Sequence, residues 1–374
     1  MSDISDASSF LSSSDDSSEC ENPDSYGEGG YCPIKVEDVL GNYTIAKKIG
    51  YGQFATVWKT ACEHAIKVCR ADPDYTTMIE KEIDVLKKVR NASTCVSLVD
   101  HFMHESPNGN HQVIVMELYN MDLYRLTQIH RHVDAPLPLA ISKSIIKQLL
   151  EGLVFLESQH LLHTDIKPEN ILIQQQVDEP LNNDSTIHVV LGDFGTAIDI
   201  QEAAHEYGTT YEYRSPEQLF EHTHLTYKSD VWSTACVCYE LFGLQTLFEP
   251  KRLYLEFNED RWASDASSLE SDDSREMSTY ETDLNQLYLF TEMFGKFPRH
   301  MTKQYRRWFT ARGEIRGLRE SIDHLSLSDR LEDDCLREWD LPVQEIAEFL
   351  LPMFRYNPKR RDGAAKMLRH SFLQ

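Results

Sequence analysis

The sequence predicts an α+β protein with two lobes: a small, mostly β N-terminal lobe that contains one key helix, and a larger α-helical C-terminal lobe. Its 374 residues exceed one typical small domain, and 41% of them are hydrophobic, which is enough for a large core. Short strand-like apolar runs dominate up to about residue 118, whereas the later runs have helical spacing.

The composition restricts the classes of partner. With 37 basic and 61 acidic residues the formal net charge is −24, so the field of the protein repels polyanions and we expect no direct binding to nucleic acid. A basic partner would be attracted, although an acidic surface can also serve solubility alone. The eight cysteines match no zinc-site spacing, and no apolar run is long enough to span a membrane. With no secretory signal at the N-terminus, the cysteines are expected to be reduced core thiols of an intracellular protein.

The first 30 residues are mainly Ser, Asp, Glu and Gly. Such a segment buries too little apolar surface to offset the entropy of ordering, so residues 1–30 are predicted to be a disordered acidic tail. Residues 31–42 carry apolar side chains and are predicted to be an ordered lead-in to the first lobe.

The N-terminal lobe is expected to begin with a strand at residues 45–49, followed by glycines at Gly50 and Gly52. Glycines here would let backbone amides approach phosphates, although a plain strand turn has the same pattern. Lys67 follows on the next paired strands and needs a counter-charge. Residues 79–89 have the spacing of an amphipathic helix, on which Glu80 and Glu82 are both candidates for that partner.

Two more strands are expected at residues 96–102 and 113–116, with a hairpin turn at residues 107–110 between them. Residues 136–156 then open the helical lobe. The helix leads to a polar loop at residues 163–170, and a strand-like run precedes a second polar turn at residues 192–195.

The polar loop reads His-Thr-Asp-Ile-Lys-Pro-Glu-Asn. Asp165 supplies a base, Lys167 a cation and Asn170 a metal ligand, which are the groups that phosphoryl transfer requires around a hydroxyl and a γ-phosphate. The Gly-Asp-Phe-Gly turn about twenty residues later adds Asp193. Together they exclude an ordinary polar turn at a helix end.

At these motifs the chain resembles the eukaryotic protein kinases, over residues 31–373. The loop at 163–170 is similar to that of SR-protein kinases and, to a smaller extent, of LAMMER-type kinases. The lead-in and the stretch at 283–314 are similar to SR-protein kinases. The resemblance implies a bilobal protein kinase fold with the kinase domain at 43–373, an N-lobe at about 43–118 and a C-lobe at about 119–373. The Ser-, Asp- and Glu-rich stretch at about 258–280 is expected to be a mobile insertion.

The resemblance also implies ATP and Mg²⁺ as cofactors. Asp165 would accept or orient the proton of the substrate hydroxyl, Lys167 would neutralise the γ-phosphate, and Asn170 and Asp193 would bind the metal. From the family's alignment, Glu82 is preferred over Glu80 as the partner of Lys67. The residues expected to contact ATP are Ile49, Gly50, Tyr51, Gly52, Gln53, Phe54, Ala55, Thr56, Val57, Lys67, Met116, Glu117 and Tyr119. Ala55 stands where the family has a third glycine.

Three further residues have structural roles in the resemblance. Glu217 is expected to pair with Arg361, and Asp230 to anchor the backbone of the catalytic loop from below. Arg214 belongs to a stretch similar to the family's substrate-facing Gln-Tyr-Arg-Ser.

Glu314 falls where SR-protein kinases carry an acidic residue of the docking groove for Arg-Ser repeats, and a surface carboxylate with no such role is an equal alternative. Thr164 replaces the Arg that in most kinases pairs with a phosphate on the activation loop. We therefore expect activity without such phosphorylation.

The sequence is thus interpreted as a serine/threonine kinase of Arg-Ser-rich proteins such as splicing factors, monomeric, and both cytoplasmic and nuclear. A LAMMER-type kinase of splicing factors is the nearest alternative, but residues 287–293 lack that family's signature. A kinase-shaped scaffold without catalysis is the other, and the presence of all catalytic groups disfavours it.

Overall fold

The computed structural model describes residues 21–177, 180–201, 210–220, 225–249, 279–317, 322–334 and 339–374. The chain divides into two compact units. One comprises residues up to Ile83 together with Leu98–Leu118, and the other comprises Asp84–Ser97 and Tyr119–Gln374. The predicted mobile insertion at about 258–280 lies outside the described residues except for its last two, which begin a helix.

The first unit is built on a six-stranded antiparallel sheet. The strands are β1 (Val39–Leu40), β2 (Tyr43–Gly52), β3 (Ala55–Thr60), β4 (His64–Cys69), β5 (Leu98–Ser106) and β6 (Gly109–Glu117). Their order in the sheet is β1-β2-β3-β4-β6-β5. The consecutive residues Val113, Ile114 and Val115 of β6 are all buried, so both faces of the sheet are covered at this strand.

The predicted hairpin between β5 and β6 is present, with Ser106 paired to Gly109 across a two-residue turn. Gly109 has φ +127°, and a Cβ there would lie 2.8 Å from the Cβ of Ala71. Both the backbone conformation and the close approach require glycine at this position. The first of the two strands begins at Leu98 and runs four residues further than the expected 96–102.

The lead-in contributes to the core of the first unit. Cys32 and Leu40 are buried among the apolar side chains of the sheet, and Ile34 packs against the same group. The other buried members of this cluster are Ile45, Trp58, Ile66, Val68, Val113 and Val115.

The prediction that residues 1–30 are disordered is wrong for residues 21–30, which the structure describes. Residues 1–20 lie outside the described part of the chain. Pro23–Tyr26 form a short 3₁₀ helix. The ring of Tyr26 lies 5.4 Å from that of Tyr31, and the side-chain amide of Asn108 donates to the carbonyls of Tyr26 (2.8 Å) and Tyr31 (2.7 Å). A distant turn thus supplies the partners that the local composition lacks.

Helix α1 spans Thr76–Val89. Ile79, Ile83, Leu86 and Val89 are all buried, as the helical spacing predicted. The division between the two units falls inside this helix, after Ile83.

The second unit is mainly helical. The long helix α3, with nine buried residues, packs against α5, of which nearly every residue is buried. The helices are α2 (Leu123–His132), α3 (Leu139–Ser158), α4 (Pro216–Leu219), α5 (Tyr227–Gly243), α6 (Thr279–Phe294), α7 (Arg299–Gln304), α8 (Leu327–Asp334), α9 (Val343–Leu350) and α10 (Ala364–Met367). Among the described residues, every helix is too short or too polar to cross a lipid bilayer.

Two small sheets in this unit position its polar loops. β8 (Leu161–Leu162) pairs with β11 (Ile198–Asp199), and β9 (Ile171–Ile173) pairs with both β7 (Met121–Asp122) and β10 (Val189–Leu191). The loop at residues 163–170 therefore leaves β8 and enters β9. The turn at residues 192–197 connects the partners of those same strands, so the two polar loops are held side by side.

Candidate active site

The loop at residues 163–170 is fixed from beneath by Asp230, in the first turn of α5. One carboxylate oxygen of Asp230 accepts the backbone N–H of His163 (2.8 Å), and the other accepts that of Thr164 (2.9 Å). The predicted anchoring contact is therefore present. Asp230 is almost fully buried, and burial raises the pKa of its carboxyl. Thr164 has φ +70°, a conformation that the two hydrogen bonds help to hold.

Asp165, Lys167 and Asn170 come together within this loop. The side-chain amide of Asn170 donates to the backbone carbonyl of Asp165 (2.8 Å) and to its carboxylate (3.1 Å). The Nζ of Lys167 lies 3.0 Å from the same carboxylate oxygen. Because the amide nitrogen of Asn170 faces Asp165, its amide oxygen points the other way and is suited to a cation.

Thr210 completes this group, and the sequence did not single it out. Its hydroxyl donates to Oδ1 of Asp165 (2.9 Å) and accepts from Nζ of Lys167 (2.9 Å), while its backbone N–H also donates to Asp165 (3.0 Å). A single threonine outside any motif carries no sequence signal, because its partners lie more than forty residues earlier.

The turn at residues 192–195 lies directly against the loop. The N–H of Gly192 donates to the carbonyl of Asn170 (2.8 Å), and Nε2 of His163 donates to the carbonyl of Gly192 (2.8 Å). Phe194 is buried, with its ring 5.0 Å from that of His163. Asp193, which follows Gly192, is exposed and has φ +53°. Both predicted metal ligands are thus on adjacent backbone segments.

In the first unit, the structure decides between the two candidate partners of Lys67. Its Nζ lies 2.6 Å from the carboxylate of Glu82, which is 4% exposed. Glu80 is exposed on the same helix. The contact with Glu82, the residue preferred from the family's alignment, has a physical reason in burial: the partner of a lysine on a covered strand has to be on the covered face of α1.

The segment expected to contact phosphates is a hairpin. Strand β2 continues through Gly50 and Gly52, and the chain turns at Gln53 and Phe54 before β3. Gly52 pairs with Ala55 across this turn. Gly50 and Gly52 therefore lie within the last residues of β2, whereas the sequence pattern had placed them after the strand.

The remaining ATP candidates near Met116 lie where the first unit ends. Met116 and Glu117 are the last residues of β6, and the division between units follows Leu118. Tyr119 belongs to the second unit, where its hydroxyl accepts the N–H of Ser97 (3.2 Å).

The predicted pair of Glu217 and Arg361 is present and bidentate, with N–O distances of 2.7 and 2.9 Å. Both residues are buried. The hydroxyl of Ser229 donates to Glu217, and Arg361 also donates to the carbonyl of Lys228. The pair is thus fully hydrogen-bonded, as a buried ion pair requires.

A further buried carboxylate, Glu240 on α5, was not predicted from the sequence. The hydroxyl of Tyr213 donates to it (2.8 Å), and within the described part of the chain no cationic side chain forms an ion pair with it. Burial raises the pKa of Glu240 to about 7, with the charges of Glu169 and Glu212 acting in the same direction against the Tyr213 hydrogen bond and Arg131. A lone carboxylate in an otherwise apolar helical run was the available sequence signal.

The two docking candidates are less constrained. The guanidinium of Arg214 lies 3.7 Å from the centre of the Tyr211 ring, and the residue is half-buried. Glu314 is exposed, and its backbone N–H donates to the hydroxyl of Thr310.

A protein kinase domain model matches residues 43–373. The chain belongs to the protein kinase family. This kinase also matches a crystal structure of a kinase domain with a TM-score of 0.68 at 21% identity, over 92% of this chain and 99% of the other. The predicted bilobal kinase fold is thereby confirmed.

The relatives of this kinase include serine/threonine kinases named for SR proteins. It is 28% identical to serine/threonine-protein kinase SRPK of Physarum polycephalum in an alignment of 421 positions, gaps included, which covers 95% of this chain and 92% of the relative. It is 27% identical to serine/threonine-protein kinase AFC3 of Arabidopsis thaliana, covering 93% and 86%. A shorter match of 37% identity to human SRSF protein kinase 3 covers 42% of this chain and 30% of that protein.

Proposed function

We propose that this kinase transfers the γ-phosphate of ATP to serines flanked by arginine in Arg-Ser-rich proteins, splicing factors among them. The observation that carries the catalytic part is the group formed by Asp165, Lys167, Asn170 and Thr210. A carboxylate beside an ammonium and a hydroxyl, on a loop fixed by two buried hydrogen bonds, is suited to orient a substrate hydroxyl for in-line attack.

The residues present fit Mg²⁺. Magnesium prefers hard oxygen ligands and is usually held by one or two carboxylates together with substrate phosphates. Asp193 offers a carboxylate and Asn170 an amide oxygen turned away from Asp165. When bound, the metal would neutralise charge on the β- and γ-phosphates.

In the first unit, Lys67 would bind the α- and β-phosphates. Its ion pair with Glu82 holds the side chain in one orientation and compensates its charge when no nucleotide is bound. The turn at Gln53 and Phe54 would supply backbone N–H donors to phosphate oxygens.

The preference for basic substrates is supported by the buried carboxylate of Glu240. A group with this environment gains a partner if a cationic side chain binds beside it, because the new charge compensates its desolvation. The guanidinium of a substrate arginine matches a carboxylate in bidentate geometry. The net charge of −24 attracts such a substrate over longer distance.

Activity without activation-loop phosphorylation is also part of the proposal. The hydroxyl of Thr164 donates to the carbonyl of Thr196 (2.9 Å), and that of Thr196 donates to the carbonyl of His163 (3.3 Å). Neutral hydrogen bonds thus join the loop at residues 163–170 to the turn at residues 192–197. In most kinases an Arg at the position of Thr164 instead pairs with a phosphate on the activation loop. We expect enzyme treated with phosphatase to keep its activity, measured by phosphate transfer to peptide. A treated sample that is inactive until another kinase modifies it would contradict this part.

The decisive experiment is transfer of radiolabelled phosphate from ATP to a panel of Arg-Ser, acidic and proline-directed peptides. Preference for the Arg-Ser peptide is expected. The matched control is Asp165→Asn, which should abolish transfer while preserving the fold. Transfer by the wild type to none of the peptides would favour the scaffold alternative, and equal transfer by the variant would reveal a contaminating kinase. A LAMMER-type kinase remains the second candidate, because AFC3-like relatives match over nearly the same share of the chain.

A further inference from the structure

The segment before the first strand reaches the turn that precedes β3. The hydroxyl of Tyr31 donates to the carbonyl of Gly52 at 2.7 Å and lies 3.4 Å from the carbonyl of Gln53. Tyr31 is 5% exposed, although its hydroxyl contacts the hairpin at Gly52 and Gln53, which are both exposed. All of these residues belong to the first unit.

Tyr31 is itself held from several sides. The Arg70 guanidinium lies 5.0 Å from the centre of its ring, and the Tyr26 ring lies 5.4 Å away. Its backbone carbonyl accepts the side-chain amide of Asn108, and its N–H donates to the carbonyl of Ser25. The hydroxyl is therefore presented to the hairpin from a fixed base.

At the tip of the hairpin, Phe54 is held by its ring, which lies 4.9 Å from that of Tyr75, whereas Gly52 has no side chain to pack. A Cβ at Gly52 would meet no atom within 4 Å, so the space on that side of the backbone is open. Glycine also permits many backbone conformations, and a glycine-containing turn loses much entropy when it is ordered. Next to the end of β4, the N–H of Arg70 donates to the carbonyl of Phe54 (2.9 Å).

The direction of the bound carbonyls decides the direction of the amides. In a planar trans peptide the C=O of one residue and the N–H of the next point to opposite sides. Since the carbonyls of Gly52 and Gln53 both face Tyr31, the N–H groups of Gln53 and Phe54 face away from it. Two neighbouring donors pointing the same way form an anion-binding site.

We propose that Tyr31 is a positioning residue for nucleotide phosphates: its hydroxyl holds the carbonyls of Gly52 and Gln53 so that the N–H groups of Gln53 and Phe54 are already oriented for phosphate oxygens. The inference rests on the ATP use proposed above and deepens it. It gives the lead-in a role in binding as well as in packing. Preorganised donors lower the entropy that binding costs.

The test is Tyr31→Phe, which removes the hydroxyl and keeps the ring between Arg70 and Tyr26. We expect the Kd of Mg-ATP, measured by isothermal titration calorimetry on the full chain, to rise about two- to tenfold, the range for one lost hydrogen bond. The KM for ATP should rise by the same factor with little change in kcat. Binding of adenosine, measured by competition, should be unaltered because adenosine has no phosphate.

The matched control is Tyr26→Phe, which removes a hydroxyl of the same segment that donates to Glu21 and not to the hairpin. It should leave all three quantities unchanged. A second readout is hydrogen exchange: the amides of residues 52–55 should exchange faster in Tyr31→Phe, while those of β4 and β6 keep their rates.

Equal ATP affinity in Tyr31→Phe and the wild type, or equal weakening of ATP and adenosine, would overturn the proposal, since the second result indicates a general structural role. Unchanged exchange at residues 52–55 would overturn it as well. If the wild type binds ATP normally but does not phosphorylate the Arg-Ser peptide, the result counts against the proposed substrate. The comparison of Tyr31→Phe with the wild type would still test the role of Tyr31 in ATP binding.

Discussion

At the scale of single residues, Thr210 joins the candidate base to the candidate cation. Its hydroxyl is the only described side-chain group that contacts both Asp165 and Lys167, apart from their contact with each other. In Thr210→Ala these two charged groups lose a shared neutral partner, and we expect kcat to fall about tenfold or more, the effect of losing a hydrogen bond to a charged group. The KM for ATP should change little.

Thr210→Ser is the matched control, because it keeps the hydroxyl. Steady-state kinetics of both variants on the Arg-Ser peptide would check the expectation. An alanine variant as fast as the wild type would show that the hydroxyl does not organise the reacting groups.

Glu240 should affect stability and substrate binding in opposite directions. Its pKa is raised from 4.5 to about 7 in the folded protein, so ionising it opposes folding. The penalty begins as the pH rises through the unfolded value and is complete above the folded one. We expect Glu240→Gln to raise the free energy of unfolding at pH 8 by up to about 3 kcal/mol. The gain should vanish as the pH falls towards 4.5.

The same variant should have a higher KM for the Arg-Ser peptide, because a neutral amide does not pair with arginine. In the wild type the KM should rise as the pH falls below 7, and in the variant this dependence should be absent. Urea unfolding at several pH values, together with peptide kinetics, gives both readouts. A variant with unchanged stability and unchanged KM would show that Glu240 is ionised without cost and plays no part in binding.

At the scale of elements, the buried pair of Glu217 and Arg361 connects α4 to the chain before α10. Replacing Arg361 by Met would leave Glu217 buried without its counter-ion. We expect a loss of about 3–5 kcal/mol in the free energy of unfolding, measured by denaturant titration.

Lys366→Met is the matched control for this pair. It breaks the ion pair with Asp362, in which the lysine is 67% exposed, and such exposed pairs contribute about 0–1 kcal/mol. Equal losses in the two variants would mean that burial does not set the contribution of the Arg361 pair.

The elements also show why some predictions were accurate. α1 was predicted from its spacing because four apolar residues on one face need a covering sheet in any fold. The β5–β6 hairpin followed from a short turn with glycine, which is local chemistry. The order of residues 21–30 could not be predicted, because Asn108, whose side chain donates to the carbonyl of Tyr26, is 82 residues further along the chain.

At the scale of the whole molecule, the charge of −24 should govern encounter with substrate. We expect the KM of the Arg-Ser peptide to rise as the ionic strength increases from 50 to 300 mM. Over this range the Debye length shortens, so salt screens the attraction between the acidic protein and the basic peptide. An Arg-Ser peptide with fewer arginines, and therefore a smaller positive charge, is the control, and its KM should depend less on salt. A salt-independent KM for the basic peptide would contradict a role for the field.

By itself, the sequence determined the fold class, the order of the kinase motifs and the identity of Lys67, Asp165, Asn170 and Asp193, because residue type and spacing along a loop survive any packing. The tertiary structure alone decided that Thr210 joins the catalytic group, that Glu240 is buried and that Tyr31 holds the Gly52 carbonyl. Each of these depends on a partner distant in the chain, and only folding brings such partners within hydrogen-bonding distance.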